Sequence, residues 1–442
     1  MTPPNVVYLH SHDTGRYVQP YGHAIPTPNI QLLADQGVLF RNAFSAAATC
    51  SGSRAALTTG RYPHSNGMIG LAHRGFQLFD YGQHLVHTLR RAGYHSELIG
   101  EQHISRDKSV IGYDRLHEID TNHVDNVAPV AVDVLRGDLP QPFFLSVGFF
   151  ETHRSYFEPS SVRDTLYSLP PAGLPDVPAV RQDMAAFKAS ARSLDQGVGA
   201  VLNALMANDL ADNTIVVCTT DHGLALPGAK CTLTDRGLGV MLIVRGPGGF
   251  TGGKVCDALV SQIDIYPTLV ELAGLERPDF LQGESLMPLV RGESDSVRDA
   301  VFGEITFHAA YEPQRAVRTQ RFKYIRRYVD GPPVLANTDD STTKDLMIEL
   351  GWGDRPVDPE QLYDLMIDPD ETRNLAAEPD YADVRAELAG RLDRWMADTG
   401  DPLLDGPVEP PEGVLLNTRE QRSAEDAPLP WSPNGKLTAL RD

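Results

Sequence analysis

Five consecutive residues, Cys50-Ser51-Gly52-Ser53-Arg54, put a sulfur nucleophile, hydroxyls and a fixed positive charge at the start of a short helix-forming run. That run, Ala55-Ala56-Leu57-Thr58-Thr59, stops at Gly60. Asp13 follows a first apolar stretch, Val6-Val7-Tyr8-Leu9, and the pair Asp221-His222 follows a second, Thr214-Ile215-Val216-Val217-Cys218-Thr219. Carboxylates at two neighbouring strand ends, with a nucleophile between them, make a cation site that polarises a sulfuryl or phosphoryl oxygen. His153, just after the apolar run 143–150, adds an imidazole that titrates near neutrality, and Lys230 adds a cation nine residues after Asp221.

These groups need a scaffold that delivers strand ends to one place. The first ~300 residues alternate short apolar runs with helical patterns, as in a parallel α/β sheet covered by helices, where ligands bind beyond the carboxyl ends of strands. Strands are expected over 5–10, 143–150, 214–219, 240–244 and 300–305. Helices are expected from Thr27-Pro28 to Gly37, with a capping threonine and proline at the first position, and over 82–92 and 183–208. Residues 315–328 alternate basic and aromatic types, which suggests antiparallel strands, and 381–399 reads as an amphipathic helix. The proline-rich last ~40 residues read as an irregular surface tail. The division expected is a catalytic α/β domain over 1–310 and a smaller antiparallel-sheet domain over 311–442.

The Cys50 segment resembles the signature of the type I, formylglycine-dependent sulfatases of the alkaline-phosphatase superfamily. Gly93-Tyr94-His95-Ser96-Glu97-Leu98-Ile99-Gly100-Glu101-Gln102-His103 looks like that family's second signature. Gln361-Leu362-Tyr363-Asp364-Leu365, with Asp368-Pro369-Asp370-Glu371, looks like its C-terminal marker. Leu39-Phe40-Arg41-Asn42-Ala43-Phe44-Ser45, His64-Ser65-Asn66-Gly67-Met68 and Leu194-Asp195-Gln196-Gly197 are similar to the heparan N-sulfatases (sulfamidases). The resemblance covers most of the chain. It implies an alkaline-phosphatase-like α/β fold: a large mixed, mostly parallel sheet flanked by helices, then a smaller antiparallel sheet with one long helix.

The resemblance also implies that a formylglycine-generating enzyme oxidises Cys50 to formylglycine. One oxygen of its hydrate would attack sulfur and the other would expel sulfate, where a plain thiolate would be trapped as a thiosulfate ester. One divalent metal would be held by Asp13, Asp221, His222 and an oxygen of modified Cys50, with His12 standing where the family has the first of two aspartates. His103 would assist collapse of the diol and His153 would protonate the leaving group. Arg54 and Lys230 would hold the charge on the transferring group. Substrate-contacting loops are placed around His73, Asp235 and His308.

Four positions depart from the family pattern: His12 for aspartate, His222 for asparagine, Glu101 for lysine and Gly52 for proline or alanine. Calcium is the commonest metal of the family, but it prefers an all-oxygen shell, and imidazole shifts the expectation toward manganese, zinc or iron. Glu101 is expected to point away from a bound sulfate, with Arg106 or Lys108 supplying the missing charge.

Composition bounds the rest. A hydrophobic content of 41% and a charged content of 22% are those of a globular protein with an ample core. The net charge of −20 disfavours nucleic acid, anionic membranes and a long polyanion laid across the surface, but allows a small anion in a locally basic pocket. No apolar run reaches the ~20 residues of a membrane span, and no secretory leader is recognised. Four cysteines without CxxC spacing fit a reduced, cytoplasmic enzyme, and a homodimer is left open. The expected function is hydrolysis of a sulfate ester or N-sulfate on a small, sugar-derived substrate. The alternatives are a phosphonate monoester or phosphodiester hydrolase and an inactive relative that binds sulfated ligands. A two-metal phosphatase is disfavoured, because no Asp-x-x-x-His follows Asp195.

Overall fold

The computed structural model describes residues 3–432. Its eight-stranded sheet is built from β1 (Asn5–Ser11), β2 (Val38–Phe44), β3 (His95–Gly100), β4 (Arg115–Leu116), β5 (Phe143–Gly148), β6 (Thr214–Thr220), β7 (Leu242–Arg245) and β8 (Lys254–Ser261). The spatial order is β4-β3-β5-β1-β6-β7-β2-β8. β1 therefore lies centrally, parallel to β5 and β6, with Leu9 opposite Val147 and Cys218. Its unbroken apolar run is explained by burial on both faces. Val6 and Tyr8 pack in one layer with Ile215 and Phe144, and Val7 and Leu9 pack in the other with Val216 and Leu145. β7 runs antiparallel to both β6 and β2, so the sheet is mixed as well as mostly parallel.

Helices cover both faces. Leu85–Arg91 and Ile265–Leu272 bury leucine and isoleucine against one, and Val124–Arg136 and Pro178–Ala207 bury valine and leucine against the other. α1 (Pro28–Gln36) has proline at its first turn as expected, but Thr27 makes no side-chain cap. The Asp195 carboxylate does that work from the long helix, accepting from the Ile30 and Asn29 backbone N–H at 2.9 and 3.2 Å. A charged acceptor at a helix N-terminus outcompetes a neutral hydroxyl.

The second sheet is antiparallel, in the order β12-β11-β10-β9: β9 (Ala300–Phe307), β10 (Tyr311–Thr319), β11 (Phe322–Arg327) and β12 (Glu360–Asp364). The run at 300–305 belongs here and not to the large sheet, and the expected division at 310 falls inside the β9–β10 hairpin. Leu388, Leu392, Trp395 and Met396 of the helix Ala382–Thr399 pack on this sheet against Val317, Tyr324 and Leu362. The tail differs from expectation too. Val414, Leu416 and Trp431 are buried with Phe76 and Phe307, and Asn417 accepts a hydrogen bond from Arg74 at 2.7 Å.

Where the two sheets and the last helix meet, Arg315 of β10 is fully buried. Its guanidinium pairs with both Asp401 oxygens and lies 3.2 Å from Glu304, whose other oxygen accepts from His64 at 2.9 Å. Removing one partner of a buried ion cluster leaves uncompensated charge and costs about 3–5 kcal/mol. Arg315→Ala should lose about that much stability in denaturant unfolding, against well under half of it for the half-exposed Arg385→Ala.

Candidate active site

The ends of β1 and β6 and the start of α2 (Cys50–Thr59) converge on one buried space. Asp13 and Asp221 leave the two adjacent strands, and the Asp13 backbone N–H donates to Asp221 Oδ1 at 2.8 Å. His12 Nδ1 lies 3.0 Å from an oxygen of each carboxylate. His222 Nε2 is 3.2 Å from Cys50 Sγ and 3.3 Å from Asp13. Its Nδ1–H donates to the Gly223 carbonyl at 3.0 Å, which turns Nε2 toward the cluster.

Asp13 and His103 both sit in left-handed backbone, at φ +53° and +52°. For residues other than glycine this costs on the order of 1–3 kcal/mol each, and such strain is tolerated where surrounding contacts over-determine it. Here the chain on either side of Asp13 is pinned: His12 N–H donates to Glu151 O at 3.0 Å and Thr14 N–H to Thr220 Oγ1 at 3.1 Å.

Burial by itself would push the two carboxyls up. Instead Lys230 and the surrounding histidines hold Asp13 far below the carboxylate range, and His222, His12 and Arg54 do the same for Asp221. Lys230 Nζ donates to Asp13 at 2.9 Å. Arg54 donates to Asp221 at 3.1 Å, to the Ser11 carbonyl at 2.9 Å and to His10 Nδ1. Burial opposes ionisation of the Cys50 thiol, but Lys230, His12, His222 and His103 pull it well below its ordinary value. Desolvation lowers His222, yet Asp221, Cys50 and Asp13 push it up to about 9.

His153 and His103 complete the ring. His153 Nδ1–H donates to the Arg154 carbonyl, and Nε2 lies 3.8 Å from Asp13. His103 lies against Cys50 and, on its other side, meets His73 at 2.8 Å. His308 is buried against Cys50 too. Asp235 is the candidate whose contacts lie elsewhere. Its carboxylate pairs with Lys323 and, at 3.3 Å, with Arg318 of the small sheet, and its backbone N–H donates to Glu371 at 2.6 Å. Those partners spend its charge on joining the two sheets, so its placement in a substrate loop is corrected to a structural ion pair.

The four departures have local explanations. Glu101 directs Oε2 to Asn122 at 2.7 Å and Oε1 to the Gln102 N–H at 3.0 Å. Despite burial, His103, Arg54 and His12 hold it down at about 2. Arg106 spends its guanidinium on the His73 carbonyl, 3.0 Å away. His12, Asp13, Cys50 and Asp221 bring four ligand atoms within 4.8 Å of one another, all buried. That set fits a divalent cation, with His222 adjoining. Sequence reasoning missed Asp339, whose carboxylate lies 3.2 Å from Lys230. Asn337-Thr338-Asp339-Asp340 reads as an ordinary turn, and nothing in its composition marks it.

The model of the family described as "Sulfatase" matches residues 4–275. The chain belongs to the sulfatase family. A second model, "N-sulphoglucosamine sulphohydrolase, C-terminal", matches residues 229–334 of this sulfatase. It is 30% identical to the human N-sulphoglucosamine sulphohydrolase over 488 residues, covering 97% of this chain and 95% of the relative. It is 29% identical to an ulvan-active sulfatase of Formosa agariphila, covering 94% of this chain and 77% of that one. Among solved structures, a protein in complex with D-glucosamine-2-N,6-O-disulfate superposes with a TM-score of 0.72 at 19% identity, over 92% of this chain and 99% of the other. The phosphonate monoester hydrolase of Agrobacterium radiobacter superposes at 0.66 with 22% identity, over 97% and 100%. These two likenesses establish the shared fold.

Gly52 has a packing reason in this sulfatase. A Cβ there would lie 2.9 Å from Thr49 Oγ1, 3.2 Å from Ala47 Cβ and 3.3 Å from the Met68 carbonyl. Overpacking a filled interior typically costs about 1–3 kcal/mol. Gly52→Ala should lower the thermal midpoint accordingly, whereas Gly390→Ala, beside only the tip of Arg394, should not.

Proposed function

We propose that this sulfatase hydrolyses a sulfate ester or sulfamate on a small sugar, with Cys50 converted to formylglycine and one divalent cation beside Asp13 and Asp221. The observation that carries this reading is the meeting of Cys50, two strand-end carboxylates, Lys230, His103 and His153 around a single buried space. The named activities of the relatives support the sugar substrate. Asp13, Asp221, His12 and His222 would hold the cation, and their mixed nitrogen and oxygen donors suit manganese or zinc better than calcium. When bound, it supplies Lewis-acid polarisation of a sulfuryl oxygen. The hydrated aldehyde of modified Cys50 supplies the attacking oxygen and a second hydroxyl for regeneration.

This chain's own residues do the rest. Lys230 places an ammonium beside the reacting group. Arg54, tied to Asp221, Ser11 and His10, fixes the carboxylate and adds positive field without swinging free. His153 is oriented by its Nδ1–H bond to the Arg154 carbonyl, so Nε2 is the atom that, in the imidazolium form, gives a proton to the departing oxygen or nitrogen; burial lowers the pKa of that form and Asp13 partly offsets it. His103 stands against residue 50 as the base that returns it to its resting state, and His73 orients that ring. His308 lines the same space. We place the enzyme in the cytoplasm, with the formylglycine-generating enzyme as its maturation partner. Four unpaired cysteines, three of them buried, support that compartment. The phosphonate reading keeps one observation in its favour, the Asp221-His222 pair at the site, and a substrate panel separates the two.

Mass spectrometry of the peptide containing Cys50 should show a mass loss matching conversion of thiol to aldehyde. Cys50→Ala should reduce turnover of N-sulfoglucosamine and of an aryl sulfate by at least ~10³-fold. Phosphonate diester turnover exceeding both would decide for the alternative.

A further inference from the structure

Lys230 is shared. Its Nζ lies 2.9 Å from Asp13 and 3.2 Å from Asp339, so two carboxylates face one ammonium. The ligand atoms of Asp13, His153 and Asp339 lie within 4.8 Å of one another, which puts Asp339 on the side of the site where His153 meets the leaving group. Asp339 Oδ2 is buried, and Lys230 Nζ lies 3.2 Å from it as well as from Oδ1, so both oxygens share one ammonium. An ionised carboxylate offers about four lone-pair sites, so one shared ammonium leaves it capacity to accept from a donor on a ligand.

The two bond types this fold could cleave differ at that position. The bridging atom of a sulfate ester is an oxygen with lone pairs and no hydrogen, whereas the bridging atom of a sulfamate is an N–H. A carboxylate, which only accepts, pairs with the N–H and repels the bare oxygen. The products diverge further. A sulfamate, R–NH–SO3⁻, and water give R–NH3⁺ and SO4²⁻: the S–N bond breaks, an S–O bond forms, and both water protons end on nitrogen. An ester, R–O–SO3⁻, and water give R–OH, SO4²⁻ and a released proton. Only the first leaving group becomes a cation, and only there does the Asp339 carboxylate stabilise it by charge.

We propose that Asp339 is a specificity-determining residue that makes this site prefer N-sulfated over O-sulfated sugars. The proposal rests on the sugar-sulfatase reading and names the substrate class within it. It differs from the roles of Lys230 and His153, which serve either bond.

The test uses substrates that differ only in the bridging atom at carbon 2, N-sulfoglucosamine and glucose 2-sulfate, with the full-length, Cys50-modified enzyme. Wild type should favour N-sulfoglucosamine in kcat/KM by roughly tenfold to a hundredfold, the scale of one hydrogen bond to a charged group. In the near-isosteric Asp339→Asn, which can also donate, the ratio should fall toward one through loss on the sulfamate and gain on the ester. A wild-type ratio at or below one, or an unmoved ratio in a folded variant, overturns the assignment to Asp339 and leaves the sulfatase reading standing. Failure of modified wild type on both sugars, alongside turnover of phosphonate diester, overturns the sulfatase reading and this proposal with it. A measurement independent of any variant is calorimetric product binding. Glucosamine should bind wild type about tenfold more tightly than glucose, and equal affinity overturns the proposal.

Discussion

Two carboxylates buried side by side govern this structure. Asp13 and Asp221 leave neighbouring parallel strands, are almost wholly removed from water and are joined through the Asp13 backbone N–H. Each uncompensated charge there would cost several kcal/mol. The surroundings answer with Lys230, Arg54, His12 and His222, drawn from four different stretches of chain. That concentration of positive charge is also what lowers the Cys50 thiol and would draw in a sulfate anion, although the protein as a whole carries a net charge of −20. A local field in a low-dielectric pocket outweighs a distant, screened net charge.

The departures from the family pattern follow from the same balance. His12 in place of an aspartate removes one negative charge from the cluster and adds a nitrogen donor, while Glu101 in place of a lysine restores a negative charge behind His103 and Arg54. Asparagine's replacement by His222 contributes another nitrogen facing Cys50. Charge is thus rearranged between positions within one cluster, and the ring of groups around residue 50 stays closed. Gly52 belongs to a different problem, the close approach of Thr49, Ala47 and Met68.

Much of this could be read from local sequence. The central strands declared themselves because burial on both faces demands unbroken apolar runs, and their ends marked Asp13, Asp221 and His153. The Cys50 run and its stop at Gly60 are likewise local signals. What was not legible depends on distant partners. The antiparallel direction of β7 is set by β6 and β2, and the placement of β9 by its hairpin with β10. Asp235 looked like a loop acid because Lys323 and Arg318 lie more than eighty positions away. Asp339 looked like a turn residue because Lys230 stands 109 positions before it. The burial of Trp431 in a proline-rich tail has the same origin, since its pocket is made by Phe76 and Phe307.

The most direct measurement is anomalous diffraction from crystals of catalytically active enzyme, collected above and below the absorption edges of manganese and zinc. One ion is expected, within about 2.0–2.6 Å of carboxylate oxygens from both Asp13 and Asp221. An active crystal form with no ion between those side chains, or with its only ion at another site, would contradict the centre described above.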